Sequence, residues 1–205
     1  MFYRMSRRDM LALSLLMGFL CAIVFGCRFS QFAKTAQQVR EQTLRLHIKA
    51  NSDSLYDQQL KLKVRDAVMQ NAGLLFAQSN TKEEALAGAQ KTLKELEQIA
   101  ENTLKQHGCA LPVQARVITM YFDTTAYTGF TLPAGEYDAL RLEIGTGKGH
   151  NWFCVLYPGL CLPAAEGERI YPDVKSQTLI EAKPEIRFAA LEWTQKIRKY
   201  LQGKD

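Results

Sequence analysis

Residues 132–161 read Leu-Pro-Ala-Gly-Glu-Tyr-Asp-Ala-Leu-Arg-Leu-Glu-Ile-Gly-Thr-Gly-Lys-Gly-His-Asn-Trp-Phe-Cys-Val-Leu-Tyr-Pro-Gly-Leu-Cys, and the architecture is read outward from this run. Residues 138–144 alternate: Leu140, Leu142 and Ile144 point one way, and Ala139, Arg141 and Glu143 the other. That is the period of a strand with one buried face. Residues 152–157 are apolar throughout, as expected for a strand in the middle of a sheet with both faces covered. The two strands and the turn between them read as a β-hairpin. Gly145, Gly147 and Gly149 also have the spacing of a phosphate-cradling loop, but such a loop opens a helix and here a strand follows. A turn that needs positive φ explains the glycines more simply.

The chain has 205 residues, of which 47% are hydrophobic and 23% charged, enough for one core. Its net charge is +5, yet acidic and basic residues alternate and no basic patch with interleaved aromatics stands out. Nucleic acid is therefore not an expected partner. Residues 1–9 are basic, and 10–27 carry no charge before Arg28. As a helix this run spans about 27 Å, close to the hydrocarbon thickness of a bilayer. It reads as a signal peptide or a signal anchor with the N-terminus in the cytoplasm and the remainder exported. Cys27 sits in a poor lipobox, because Phe25 is large and Arg28 follows directly.

Residues 28–42 read as a polar tether to one domain over 43–205. Residues 43–50 alternate, with Leu44, Leu46, Ile48 and Ala50 inward and Arg45, His47 and Lys49 outward, which makes His47 a solvated side chain. Ser54 then caps a helix, with Asp57 three residues on to reach back to it. Its stripe is Leu60, Val64, Ala67, Val68 and Leu74, with Lys61 outside. Thr81 and Glu84 start a second helix, which Gly108 stops, giving an αα-hairpin. Residues 112–122 return to strand composition and 123–135 form a loop. After Pro184 a last helix places Ile186, Ala190, Trp193, Ile197 and Leu201 on one face and packs on the sheet.

Export makes a disulfide between Cys154 and Cys161 reasonable chemistry, since Pro158-Gly159 suits a turn that folds one towards the other. Cys109 is left as a free thiol at a helix end. His47, His107 and His150 fall in different elements, and no nucleophile or zinc motif surrounds them. The sequence therefore implies no cofactor, no metal and no small-molecule substrate. Two other classes stay open: an exported cell-wall or peptide hydrolase using Asp53, Asp66 or Glu136, and a surface-tethered ligand-binding module.

Three segments carry a family resemblance. Residues 45–68, Arg-Leu-His-Ile-Lys-Ala-Asn-Ser-Asp-Ser-Leu-Tyr-Asp-Gln-Gln-Leu-Lys-Leu-Lys-Val-Arg-Asp-Ala-Val, resemble the first signature block of the stage II sporulation protein R family. Residues 132–161 resemble its second, and Ile-Arg-Phe-Ala-Ala-Leu-Glu-Trp at 186–193 its C-terminal segment. His150 and Phe153 depart from the Lys or Arg and the Trp of many members. The resemblance implies a non-enzymatic signal of endospore-forming bacteria. Such a protein is made in the forespore and exported into the space between the two membranes. There it activates a membrane-embedded aspartic protease of the mother cell, which processes an early sigma-factor precursor. Polar or large residues at strand ends and turns of the two blocks are the expected partner contacts: Asn51, Asp53, Arg65, Asp66, Glu136, Arg141, Lys148 and Trp152. The expected fold is α+β, an antiparallel sheet of four strands (43–50, 112–122, 137–145, 151–157) covered by the αα-hairpin and the last helix.

Overall fold

The computed structural model describes residues 6–76, 79–127, 130–159 and 186–201. Elements run in the order α1 (Arg7–Glu41), β1 (Leu44–Lys49), α2 (Leu55–Phe76), α3 (Lys82–Gln106) and β2 (Val113–Phe122). There follow β3 (Thr125–Tyr127), β4 (Phe130–Leu132), β5 (Gly135–Ile144), β6 (Asn151–Tyr157) and α4 (Ile186–Leu201). The fold is α+β, and all four expected strands form one sheet in the order β2-β5-β1-β6. The sheet is mixed, not wholly antiparallel: β1 runs parallel to β5, with Leu46 opposite Leu140, and the other two pairings are antiparallel.

The expected hairpin is not formed. Strand β1 lies between β5 and β6, so the connection over 145–150 must cross two strand spacings, about 10 Å, rather than one. It arches over the end of β1, where Gly149 N–H donates to the Ala50 carbonyl (2.9 Å) and Lys148 N–H to that of Asn51 (3.2 Å). Strand β6 is thus at an edge of the sheet and not in its middle. Its apolar run is explained by cover on both faces, with α2 on one side and His47, Phe122 and α4 on the other.

Alternation decides which face each residue takes. Leu44, Leu46, Ile48, Leu140, Leu142, Ile144, Val113 and Ala115 join Leu60, Val64 and Val68 of α2 and Ala89, Leu96 and Leu104 of α3 in the main core. The αα-hairpin covers this face as expected. Thr81 Oγ1 accepts from Glu84 N–H, and Gly108, at φ +75°, ends α3 so that Cys109 enters the core as a free thiol. Two carboxylates of α3 also shield the edge of β2, since Glu101 and Glu97 accept from the backbone N–H groups of Val113 and Ala115. Unpaired N–H groups on a strand edge invite association, and these are occupied.

The tether is a helix. Helix α1 runs unbroken to Glu41, and Phe32, Ala33, Ala36 and Val39 pack on Leu132, Val155, Phe188 and Leu191. Their spacing of one, four and seven residues makes a short apolar stripe within a segment whose overall composition is polar. The first part of α1 is long and apolar enough to cross a membrane, and none of it is buried in the protein. Helix α4 buries Phe188 and Leu191, with Phe188 edge-on to Phe32 at 5.3 Å, whereas the expected inward Trp193 is 67% exposed. The loop over 123–135 contains the β3–β4 hairpin, which joins α1 and α4 in covering one end of the second sheet face.

Candidate functional site

On that second face, Arg45 and His47 are not solvated. Arg45 is fully buried, its guanidinium carbon 3.8 Å from the centre of the Phe122 ring, 5.0 Å from Tyr137 and 5.7 Å from Phe153. One terminal nitrogen donates to Tyr127 (2.8 Å) and Thr125 (3.3 Å), fixing the small hairpin to the sheet. Among the described residues no carboxylate pairs with it, and the rings supply counter-charge through their π faces. His47 is 2% exposed, stacked on Phe153 at 5.1 Å and edge-on to Phe122 at 6.0 Å. Burial, with Arg141 and Lys49 adding repulsion, lowers its pKa from 6.5 to about 4.

A depressed histidine pKa favours the neutral folded form. The unfolded chain takes up a proton near pH 6.5 that the folded chain refuses until about pH 4, so stability is whole above pH 6.5 and falls as pH drops between those values. The expected loss is about 3 kcal/mol by pH 4, read from urea midpoints of the full chain in detergent. His47→Phe should remove most of that slope, and an unchanged slope would show that His47 does not cause it.

The two signature blocks meet at one end of the sheet. Asn51 follows β1 and holds the arch over 145–150: its amide oxygen accepts from Thr146 N–H (3.0 Å), and its backbone carbonyl accepts from the Thr146 hydroxyl (2.8 Å) and Lys148 N–H. Its amide nitrogen donates to Asp57 (2.9 Å), which also accepts from the Ser52 hydroxyl. These bonds hold the Asp57 carboxyl below its ordinary pKa, Ser52 contributing most. Ser54 caps α2 as expected, accepting from Asp57 N–H, but the return bond differs. The Ser54 N–H donates to the Ser52 hydroxyl, because Asp57 is committed to Ser52 and Asn51. Asn51→Ala should cost about 2 kcal/mol by removing the side-chain partner of Thr146 N–H and of Asp57, and amide exchange at Thr146 should accelerate while that of β5 does not.

Asp53 accepts from both the backbone N–H and the ring Nδ1 of His150 at 2.5 Å, which lowers its pKa, the backbone bond contributing most. Beneath the arch, the buried Lys61 donates to Gln58 and to the carbonyls of His150 and Asn151, and burial lowers its pKa. One turn further along α2, Arg65 pairs with Asp66 and lies 5.4 Å over the Trp152 ring. Asn51, Asp53, Arg65, Asp66, Lys148 and Trp152 therefore form one continuous region, with Lys148, His150 and Asp53 exposed at its tip.

Two expected contact residues lie elsewhere. Arg141 is on the second face, bonded to Glu143, and Glu136 starts β5, about 26 Å by strand rise from the arch. Asp53, Asp66 and Glu136 do not converge, and among the described residues no three His, Cys, Asp or Glu side chains assemble as metal ligands. Cys154 is buried in β6, and Cys161 lies outside the described residues. Asp57, Lys61, Thr146 and His150 were not expected contributors. The signal for Asp57 was the cap spacing itself; nothing in the α2 pattern marks Lys61, whose two carbonyl partners are 89 and 90 residues away.

A family model described as stage II sporulation protein R matches residues 40–166, well over half of the chain and both blocks that build this region. The chain belongs to the stage II sporulation protein R family. It is 38% identical over 133 residues to the stage II sporulation protein R of Bacillus subtilis (strain 168), an alignment covering 64% of this chain and 59% of that protein. The chain thus spans less than two thirds of that relative's length. No solved structure matches it. The stage II sporulation protein R match begins at Arg40, in the last turn of α1, so the arch, the buried Arg45 and His47 and all four strands of the sheet lie within it.

Proposed function

We propose that this chain is an exported signal of endospore formation. From the forespore side it binds a membrane-embedded aspartic protease of the mother cell and favours its active state, so that an early sigma-factor precursor is processed. A ligand shifts such an equilibrium only by binding one state better than the other, which requires a rigid, exposed surface. The observation that carries the reading is the convergence of both signature blocks on the arch. Asn51 and Asp57 spend their polar groups holding that arch in place, and Lys148, His150 and Asp53 are left facing outward. The continuous helix α1 supports membrane attachment on a stiff stalk, which would fix the height and orientation of the arch.

In sporulating cells deleted for their own copy, this chain should restore precursor processing. Lys148→Glu with His150→Ala should lower it about fivefold while the unfolding midpoint moves little, since the Asp53–His150 pair is exposed. Full processing with this double variant would remove the arch from the contact. Cleavage of peptidoglycan by the purified chain, abolished by Asp53→Asn, would favour the hydrolase reading instead.

A further inference from the structure

The second sheet face is covered at one end by α1, the β3–β4 hairpin and α4, and its other end carries a patterned charge. Registers place Arg116 of β2 opposite Arg141 of β5, Arg141 opposite His47 of β1, and His47 opposite Phe153 of β6. One step towards the strand ends, Lys49 lies opposite Glu143. This half-face thus presents Lys49, Arg116 and Arg141 against one acid, with the fully buried Arg45 adding positive charge beneath and His47 neutral at physiological pH. Glu143 bonds both Arg116 and Arg141 and so orients their guanidinium groups, while the Arg141 Nε has no partner among the described residues. Phe153, on the edge strand beside His47, and Ile118, one step along β2 from Arg116, flank the charges and are half-buried.

From this the geometry points to a docking surface for an acidic segment of a protein partner, separate from the arch. Oriented arginine forks match carboxylate geometry, two oxygens to two N–H groups, more closely than they match a diffuse anionic surface. Apolar side chains flanking the charges suit a peptide that carries apolar residues beside its acidic ones, and the sheet offers strand-like spacing to receive it. The inference rests on the reading of the chain as a signal acting by protein contact, and its test does not use processing.

Fluorescein-labelled hexaglutamate is titrated against the full chain in detergent micelles and followed by anisotropy. Lys49→Ala with Arg116→Ala should weaken binding about tenfold, whereas Lys91→Ala with Lys94→Ala, an equal charge change on α3, should weaken it less than about twofold. A benzophenone-bearing hexaglutamate should crosslink the unmodified chain on β1 or β2. Equal losses in the two double variants, or crosslinks confined to other faces, would overturn the proposal. So would binding to phosphatidylglycerol vesicles that needs Lys49 and Arg116 while hexaglutamate is ignored, or a dimer that dissociates only when these two are removed. If the peptide fails to bind this face while processing still depends on the chain, the surface is wrong and the signalling role stands.

Discussion

Gly149→Ala is expected to destabilise the chain by about 4 kcal/mol and to lower its Tm by about 8–16 °C, even though it adds one methyl group at the surface end of the sheet. The added Cβ would lie 2.5 Å from the carbonyl carbon of Ser52, closer still to its oxygen, and 2.9 Å from the Ala50 side chain. Two of these neighbours are backbone atoms fixed by the end of β1 and the cap of α2, so no rotamer change relieves the overlap. The arch would have to lift, breaking the bond from Gly149 N–H to Ala50 and loosening those from Thr146 and Lys148 to Asn51. Gly88→Ala is the internal comparison. A Cβ there meets nothing within 4 Å and the residue sits inside α3, so that variant should gain about 0.5–1 kcal/mol. Thermal unfolding of both variants in detergent decides it, and equal midpoints would show that the arch does not lie over β1 as described.

Arg45→Ala should be of similar size, about 4 kcal/mol, because it empties the volume between Phe122, Tyr137 and Phe153 and unfastens the hairpin from the sheet. Arg45→Met separates packing from charge. Among the described residues no carboxylate balances this guanidinium, and two of its nitrogens lack partners. A side chain of similar length without charge should therefore recover more than half of the loss. If methionine proves as damaging as alanine, the cation over the rings, and not the filled space, holds this end of the sheet together.

The sequence identified strands and the outline of the helical layer well, because alternation at Leu44, Leu46 and Ile48 and at Leu140, Leu142 and Ile144 reports directly on one buried face. It did not identify how the strands pair. Parallel pairing of β1 with β5 is a contact across 94 residues, and nothing local in either strand distinguishes it from the hairpin that adjacent strands usually make. Arg45 and His47 occupy the right parity for an outward face. Their burial depends on Phe122, Tyr137 and Phe153, which arrive from three other strands. The same limit applies to α4, where Trp193 shares the apolar spacing but Phe188 and Leu191 meet α1. At the arch, glycine spacing announced a turn, while the requirement at Gly149 came from a backbone nearly 100 residues earlier.

The most direct test co-expresses this chain, carrying its N-terminal segment, with the membrane-embedded protease and the sigma-factor precursor in a host that lacks other sporulation proteins. Precursor cleavage should appear only when all three are present, and should be lost when the chain is confined to the cytosol by deletion of residues 1–27. Cleavage at the same rate without the chain, or cleavage by the chain with the protease absent, would contradict the account.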